Sequence, residues 1–358
     1  MKTRWSSKTA LRHGAILASI AGASFAINPS PAEAANPGSR HAAKPRSVKV
    51  LVISMFAPEA QPWVKNMTLT QKITVPGLSA EYPTVNCNTD NVCQMTTGMG
   101  YANAASSLTA LIHSGKFDLR QTYFLIAGIA GIDPNQGTLG TATWARYVVD
   151  YSLQHEIDAR EMPTTWKAGY IGIMTNEPGQ KPAFDYRTEV FQLNESLLQK
   201  VLALTKNAKL DDHDAARKYR ANYPTAPANQ PPQVIQCDTL SGNTWWHGHH
   251  LGERAHEWTK ILTDGKGVYC TTQQEDSATL EALTRGAKSK LLDINRVALL
   301  RTGANFDRPH PGQSAYDSLK EKSGGFQLSI DNLYLTGSLW VQNVVKNWPE
   351  WQKGIPKP

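Results

Sequence analysis

The sequence predicts an α/β fold in which a central sheet is covered by helices on both faces. Short runs rich in Val, Ile and Leu alternate along the chain with longer segments of helical spacing. The predicted strands are nearly continuous in apolar residues, which is typical of a sheet buried on both sides. The chain has no internal repeat and no low-complexity linker, so we expect one domain over residues 48–358.

The predicted strands are short apolar runs that end at glycine, proline or small polar residues. The first of them leads into a loop at residues 54–62, and the third ends at a glycine-containing segment, residues 128–131. In chain order, the strands are predicted at residues 48–53, 92–97, 122–127, 168–174, 234–237 and 296–301.

The predicted helices are longer and carry leucine, valine or alanine at helical intervals. A polar, proline-rich loop at residues 224–232 separates two groups of elements, and Gly337 weakly interrupts the last helix. The helices are predicted at residues 102–114, 194–219, 251–262, 275–285 and 327–348.

The N-terminus has the pattern of a secretory signal peptide at residues 1–34. A basic start is followed by a short apolar run at residues 15–27, and Ala32-Glu33-Ala34 forms the cleavage pattern. The apolar run is short for a membrane span, and no later stretch approaches that length. Residues 35–47 are rich in Pro and Ala and are predicted to be a disordered lead. We therefore expect an exported protein, periplasmic or secreted, with no membrane span after the signal.

The charge pattern argues against several classes of ligand. Part of the formal net charge of +7 lies in the signal, and the remaining Lys and Arg residues are not clustered, so no nucleic-acid partner is expected. Histidines and one acid lie close together at His247, His249, His250, Glu253 and His256. They lack an HExxH pattern, and the chain has no CxxC pair. A metal site therefore remains a minor alternative, and we predict no metal and no other cofactor.

The four cysteines predict two disulfides in an exported protein. Cys87 and Cys93 flank a polar, hairpin-like turn, so we pair them. Cys237 and Cys270 remain, and each of them precedes a predicted ligand loop. Their pairing would hold these two loops together.

Two adjacent indoles follow the strand predicted at residues 234–237. Residues 241–244 form a small polar turn, and Trp245 and Trp246 come directly after it. Loops at strand ends carry ligand sites in α/β proteins, and indole rings suit a flat ligand such as a nucleobase. The alternative is that one tryptophan packs in the core and the other covers it.

Five further motifs occur in a fixed order around this loop. They contain Glu59; Gly98, Met99 and Gly100; Gly128; Gln274 and Glu275; and Asn305 and Asp307. Over residues 48–348 the chain resembles the purine nucleoside permease family of exported bacterial and fungal proteins. More distantly, it is similar to the nucleoside phosphorylase and methylthioadenosine nucleosidase superfamily. The resemblance implies a nucleoside phosphorylase-like fold, a single three-layer α/β/α domain with a mixed central sheet.

The resemblance also implies catalytic roles for three residues. Glu59 would activate a water molecule, and Asn305 would hold N7 of the base. Asp307, two residues further on, is a second candidate acid. Without the resemblance, Glu59 would be taken for a solvated loop residue, and Asp307 for a loop residue paired with Arg308.

The nucleoside-binding residues implied by the resemblance lie at strand ends. They are Gly98, Met99, Gly100, Gly128, Asn243, Trp245, Trp246, Gln274 and Glu275. Glu275 would bind the ribose hydroxyls, although a helix-start acid favoured by the helix dipole explains it equally well. A tight turn likewise explains the glycines at 98 and 100. Phosphorylases of this superfamily bind phosphate at positions that Ile126 and Ile129 occupy here, and isoleucine offers no donor.

These observations predict an exported protein that binds purine nucleosides and hydrolyses their N-glycosidic bond. The alternative is a non-catalytic component of nucleoside uptake, which would pass its ligand to a partner in a membrane. A phosphorylase is disfavoured. Oligomers are usual in the distant superfamily, so a homo-oligomer is an open expectation.

Overall fold

The structure is a computed structural model that describes residues 44–357, so the predicted signal peptide and residues 35–43 lie outside the described part. The strands are β1 (Arg46–Ser47), β2 (Val50–Ser54), β3 (Gln71–Thr74), β4 (Thr84–Cys87), β5 (Val92–Thr96), β6 (Phe117–Asp118), β7 (Tyr123–Ile132), β8 (Ala142–Trp144), β9 (Tyr147–Asp150), β10 (His155–Glu156), β11 (Tyr170–Ile171), β12 (Val190–Gln192), β13 (Val234–Gln236), β14 (Asp238–Ser241), β15 (Tyr269–Gln273) and β16 (Val297–Phe306).

The helices are α1 (Ala57–Asn66), α2 (Tyr101–His113), α3 (Glu195–Thr205), α4 (Asp214–Arg220), α5 (His249–Leu262), α6 (Asp276–Lys288), α7 (Ala315–Lys320), α8 (Gly325–Lys346) and α9 (Trp348–Trp351). A 3-10 turn, Ile294–Arg296, precedes β16. None of the helices in the described part of the chain has the length and hydropathy of a membrane span.

Within residues 44–357 the main sheet has 12 strands and is mixed, as predicted. Its main path runs β12-β9-β14-β15-β7-β2-β5-β4-β3. The long strand β16 pairs in parallel with β7 and antiparallel with β8. Strands β2 and β5 run parallel to β7, whereas β15 pairs antiparallel with the end of β7. The ends of several strands therefore meet near the second half of β7.

Helices cover both faces of this sheet, which confirms the three-layer prediction. Successive residues of a strand point to opposite faces, and in β2 Leu51 and Ile53 face one core whereas Val50 and Val52 face the other. Helices α2 and α6 pack on the first face, and α1, α3 and α8 pack on the second. Strands buried on both sides explain the continuous apolar runs of the sequence.

Both predicted disulfides are present. The bond between Cys87 and Cys93 closes the antiparallel turn between β4 and β5. The bond between Cys237 and Cys270 joins the residue before β14 to the start of β15, two parallel neighbours in the sheet. The second bond therefore links the two strands whose ends carry the tryptophan loop and Glu275.

Three sequence predictions of local structure are corrected. The strand predicted at residues 168–174 is reduced to β11, two residues that pair with β10 in a long excursion from the sheet. The helix predicted at residues 194–219 is two helices, because the chain leaves the helix after Thr205 and restarts at Asp214. The sequence analysis also missed the β3–β4 hairpin, because β3 is mostly exposed and lacks an apolar pattern.

The end of the predicted disordered lead is ordered. Residues 46–47 form β1, which pairs in parallel with β6. The backbone N–H of Arg46 donates to Lys116 O at 2.8 Å, and its guanidinium donates to Gln71 Oε1 and Asn88 O. These contacts, which lie far apart in the sequence, fix a segment whose own composition favours disorder.

Candidate functional site

Glu59 lies in the first turn of α1, directly after β2, and only 1% of its surface is exposed. Its Oε2 accepts a hydrogen bond from the Met55 backbone N–H at 2.8 Å, and its Oε1 accepts one from the Ile129 N–H at 2.8 Å. The residue is therefore not the solvated loop glutamate of the alternative interpretation. It is a buried carboxyl held between the ends of two neighbouring strands.

Burial raises the pKa of Glu59 from 4.5 to about 7. The positive charge of Arg301 and the two backbone hydrogen bonds lower this pKa, and the negative charge of Glu275 raises it. Burial dominates because removing a carboxylate from water penalises its charged form. A carboxyl group with this pKa can gain and release a proton at neutral pH, as general acid–base chemistry requires.

Arg301 forms the centre of the cluster, and the sequence analysis did not identify it. It lies within β16 and is 1% exposed. Its guanidinium donates to both carboxylate oxygens of Asp276, to Glu275 Oε2 at 3.3 Å and to Ile129 O at 2.9 Å. Burial alone would lower its pKa, but the carboxylates of Asp276 and Glu275 outweigh burial and raise it. An arginine inside a buried apolar strand was the sequence signal that could have revealed it.

Gly128 allows Glu59 and Arg301 to approach each other. It is paired with Arg301 in the β7–β16 ladder. A Cβ atom at this position would lie 2.5 Å from Arg301 Nη1 and 2.9 Å from Glu59 Oε1. Any side chain at position 128 would therefore displace one of these two groups, and the structure places this predicted ligand residue directly beneath the charged pair.

Glu275 is buried at the end of β15 and faces the glycine-containing turn after β5. Its Oε1 accepts from the Gly100 N–H at 3.0 Å, and its Oε2 accepts from the Gln274 N–H at 3.2 Å. Gly98 and Gly100 both have φ of +85°, which favours glycine, and Met99 between them is 58% exposed. The structure thus brings the motif that contains Gly98 and Gly100 into contact with the motif that contains Gln274 and Glu275.

Asn243 connects the tryptophan loop to its neighbours. Its Oδ1 accepts from the backbone N–H of Tyr101, the first residue of α2, at 2.9 Å. Its backbone carbonyl accepts from Gln274 Nε2 at 2.5 Å. Asn243 and Gln274 therefore fix the loop beside Glu275, and the Asn243 side chain satisfies an N–H at a helix start.

The two adjacent tryptophans have different environments. Trp245 is 63% exposed, whereas Trp246 is 6% exposed and packs against Tyr151 and Tyr269, with ring centroids 5.5 Å and 6.1 Å away. The prediction of two stacking indoles is therefore corrected, because Trp246 uses its ring faces in the core. This is the arrangement of the alternative interpretation, and only Trp245 offers an open ring face.

Asn305 lies where β16 departs from regular pairing. The register shifts between Gly303 and Asn305, so that Asn305 pairs with Gly131 across a bulge. Its Nδ2 donates to Phe306 O at 2.9 Å, and the side chain is half-buried. Bulges next to binding sites re-aim side chains, and this one turns Asn305 toward the glycine segment of β7.

Asp307 belongs to a different network from Glu59. It is 1% exposed, and its carboxylate accepts from Arg308 Nε at 2.8 Å and from the Tyr269 hydroxyl at 2.7 Å. Burial raises its pKa to about 6, against the opposing effect of Arg308. The position of Asp307 therefore does not support the predicted role as a second catalytic acid. Asp307 is instead paired with Arg308, as in the alternative interpretation.

The histidines that lie close together in the sequence have separate partners in the structure. His256 pairs with Asp133, and His247 contacts the Ser318 hydroxyl. In the described part of the chain, one group brings three metal-ligating atoms within 4.8 Å of one another, and it consists of Asp211, His213 and Asp331. This group includes none of the predicted site residues.

The chain is similar over most of its length to purine nucleoside permeases. The family model described as purine nucleoside permease matches residues 47–356. A probable purine nucleoside permease of Schizosaccharomyces pombe is 40% identical over 90% of this chain and 95% of its own length. A purine nucleoside permease of Candida albicans is 39% identical over 86% of this chain and 78% of its own length.

The fold also has a counterpart among solved structures. The chain superposes with a TM-score of 0.51 on the 5′-methylthioadenosine/S-adenosylhomocysteine nucleosidase of Neisseria meningitidis, solved in complex with methylthio-immucillin-A. The identity is 14%, with 82% of this chain and 99% of the other covered, so the likeness concerns the fold alone. The near-complete family match and the two relatives together establish that this chain belongs to the purine nucleoside permease family.

Proposed function

We propose that this protein binds purine nucleosides at the cluster formed by Glu59, Glu275 and Arg301, and that it hydrolyses their N-glycosidic bond with water. The observation that carries the proposal is Glu59, a fully buried carboxyl whose pKa is raised to about 7 and which lies beside a guanidinium and a second carboxylate. Perturbed acids in such settings are typical of catalytic sites. The family name supports a purine nucleoside as the ligand.

Each part of the nucleoside has a partner of fitting chemistry. The Glu275 carboxylate can accept hydrogen bonds from both hydroxyls of a ribose cis-diol. The exposed indole of Trp245 offers a flat surface on which a purine can stack. Asn305 can donate its amide hydrogen to N7 of the base, in exchange for its present bond to Phe306 O.

The proposed reaction replaces one bond at the anomeric carbon. The carbon–nitrogen bond breaks, its electron pair moves to the purine, and the ribose ring develops oxocarbenium character. Water attacks the anomeric carbon, and Glu59 accepts the proton that this water releases. The leaving purine takes up a proton from solvent, and Glu59 then returns its own proton to solvent. The anionic carboxylates of Glu59 and Glu275 stabilise the developing positive charge, because they act in a buried site of low dielectric constant.

Water rather than phosphate is the proposed nucleophile because the cluster leaves no phosphate site on β7. The backbone N–H of Ile129 donates to Glu59, and its carbonyl accepts from Arg301. The side chains of Ile126 and Ile129 supply no donor. Arg301 itself is already bound by two carboxylates. Phosphate requires several free, charge-assisted donors.

Product analysis tests the proposal. The purified protein is incubated with inosine, guanosine or adenosine, first without and then with phosphate, and free base is measured by chromatography. We expect base release without phosphate and its loss in Glu59→Gln, with nucleoside binding retained. Glu189→Gln is the matched control, because Glu189 is also a buried carboxylate that accepts two backbone N–H groups.

Other outcomes would refute the proposal in distinct ways. Base release that depends on phosphate would make the protein a phosphorylase. Intact nucleoside in every reaction, with saturable binding by calorimetry, would make it a nucleoside carrier that serves uptake through a membrane partner. Full activity of Glu59→Gln would remove Glu59 from the mechanism.

We also propose that the protein is exported. The two disulfides support an oxidising compartment, and the signal pattern of residues 1–34 supplies the route. Mass spectrometry of the protein recovered from its native host should find an N-terminus at Ala35. Recovery of an intact Met1 form from the cytoplasm would refute export.

A further inference from the structure

The first residue of α6, Asp276, is a buried carboxylate in the cluster, with no exposed surface. It binds the edge of Arg301, since its Oδ2 accepts from Nε at 3.1 Å and its Oδ1 accepts from Nη2. This two-point contact fixes the guanidinium plane, which a single hydrogen bond would not do. Asp276 is fully buried and contacts the Nε–Nη2 edge of Arg301, so its presence in the cluster needs an explanation of its own.

The remaining donors of Arg301 show what this contact achieves. Nη2 also donates to Glu275 Oε2, and Nη1 donates to Ile129 O. Among residues 44–357, this leaves one Nη1 hydrogen without an acceptor. Nη1 borders Gly128 together with Glu59 Oε1. If the guanidinium rotated away from Asp276, its hydrogen bonds to Glu275 and to Ile129 O would break as well.

The cluster around Glu59 contains more carboxylates than cations. Arg301 faces Glu59 from β16 and Glu275 faces it from the β15–α6 junction, while the Met55 and Ile129 amides approach from β2 and β7. Arg301 is the one cation among these groups and is shared with Asp276. The negative charge of Asp276 offsets the positive charge of Arg301. It therefore weakens the electrostatic attraction by which Arg301 favours the ionised form of Glu59.

On the basis of the proposed function, we propose that Asp276 is a positioning residue of the hydrolytic site: its carboxylate holds Arg301 in one orientation and takes up much of its charge, so that Glu59 remains able to exchange a proton. Burial raises the pKa of Asp276 and Arg301 lowers it, as expected for a carboxylate kept in the interior by its ion pair. The role differs from that of Glu275, because Asp276 acts through Arg301.

The test compares Asp276→Asn with Asp238→Asn. Asparagine keeps the shape of Asp276 but removes its charge. Asp238 is also a buried aspartate with a raised pKa, but its carboxylate binds the backbone N–H groups of Arg146, Tyr147 and Val268. The dependence of kcat and KM on pH is measured for both variants and the wild type, with circular dichroism to confirm folding.

We expect Asp276→Asn to lower kcat by about 10- to 100-fold. The acid limb of its kcat profile should move to lower pH by roughly one unit, because the unpaired charge of Arg301 then favours ionised Glu59. KM should stay within about threefold of the wild type, since the Asp276 side chain has no exposed surface with which to contact a nucleoside. The acid limb of the kcat profile of Asp238→Asn should lie at the same pH as that of the wild type. An unchanged kcat and limb in folded Asp276→Asn, or an equal shift in both variants, would overturn the proposal.

A second measurement separates this proposal from the proposed function. The protein is labelled with glutamate carrying 13C at the carboxyl, and Glu59 is identified by the signal lost in Glu59→Gln. Its titration midpoint should be lower in Asp276→Asn than in the wild type, whether or not base is released. Equal midpoints would refute the role of Asp276. A lowered midpoint in a protein that releases no base would refute only hydrolysis.

Discussion

As the pH rises, the difference in free energy of unfolding between the Glu59→Gln variant and the wild type should change in favour of the variant. The pKa of Glu59 is raised from 4.5 to about 7 on folding. Between these values the folded state keeps its proton and the unfolded state loses it, so the folding stability of the wild type falls as the pH rises. Glutamine does not titrate, and the variant therefore lacks this loss.

The size of the effect follows from the shift in pKa. One unit corresponds to about 1.4 kcal/mol, so the difference in free energy of unfolding between variant and wild type should grow by about 2.5 kcal/mol from pH 5 to pH 8. For a domain of roughly 300 residues this equals about 4 °C in Tm. The amide of glutamine leaves one N–H among Met55 and Ile129 without an acceptor, but this cost is the same at each pH and cancels in the comparison.

Thermal unfolding followed by circular dichroism at pH 5, 6, 7 and 8 measures the growth of this difference. Glu189→Gln, measured at one pH, gives the cost of exchanging a carboxylate that accepts two backbone N–H groups. A Tm difference between Glu59→Gln and wild type that is constant from pH 5 to pH 8 would refute the reasoning. It would mean that Glu59 titrates alike in the folded and unfolded states.

Four other outcomes are expected. Base release by the wild type should rise with pH through an apparent midpoint near 7, because the base form of Glu59 is the active one, and a flat pH–rate profile would contradict this. Trp245→Ala should weaken nucleoside binding about 10- to 100-fold in calorimetry, with Tm nearly unchanged, since its ring is exposed. Gly128→Ala should fold but lose base release, since its Cβ displaces Glu59 or Arg301. Replacing both Cys237 and Cys270 by serine should cost about 3–4 kcal/mol in chemical unfolding, and an unchanged midpoint would mean that their bond does not restrict the unfolded chain.

The features that the sequence predicted well have local causes. A strand buried on both faces is nearly continuous in apolar residues, and the run at residues 50–53 shows this directly. The turn between Cys87 and Cys93 is short enough to predict their bond without knowledge of the fold. Local patterns of this kind do not depend on which strands become neighbours. The roles of Glu59 and Glu275, in contrast, were predicted only through the family resemblance, because their local sequence fits an ordinary loop glutamate and a helix-start acid equally.

The missed features depend on strand order. Arg301 acts in the cluster because β16 lies beside β7, and no local pattern states that pairing. Asp276 follows Glu275 directly and resembles an ordinary acid at a helix start. Trp246 was assigned the same role as Trp245 because the sequence does not reveal which of two adjacent rings turns inward. Strand pairing and side-chain direction are tertiary properties, so the places of Arg301, Asp276 and Trp246 could be assigned only from the structure.

The position of Glu59 also bears on the choice between an enzyme and a carrier. A carrier would need only the groups proposed to bind the ligand, which are Glu275, Trp245 and Asn305. Glu59 adds a buried carboxyl that destabilises the folded protein at neutral pH by about 3 kcal/mol. Unfavourable arrangements of this kind persist where the chemistry requires them. A protein that only bound nucleosides would have no use for a carboxyl that loses stability as the pH rises, so this cost supports the proposed turnover over simple binding.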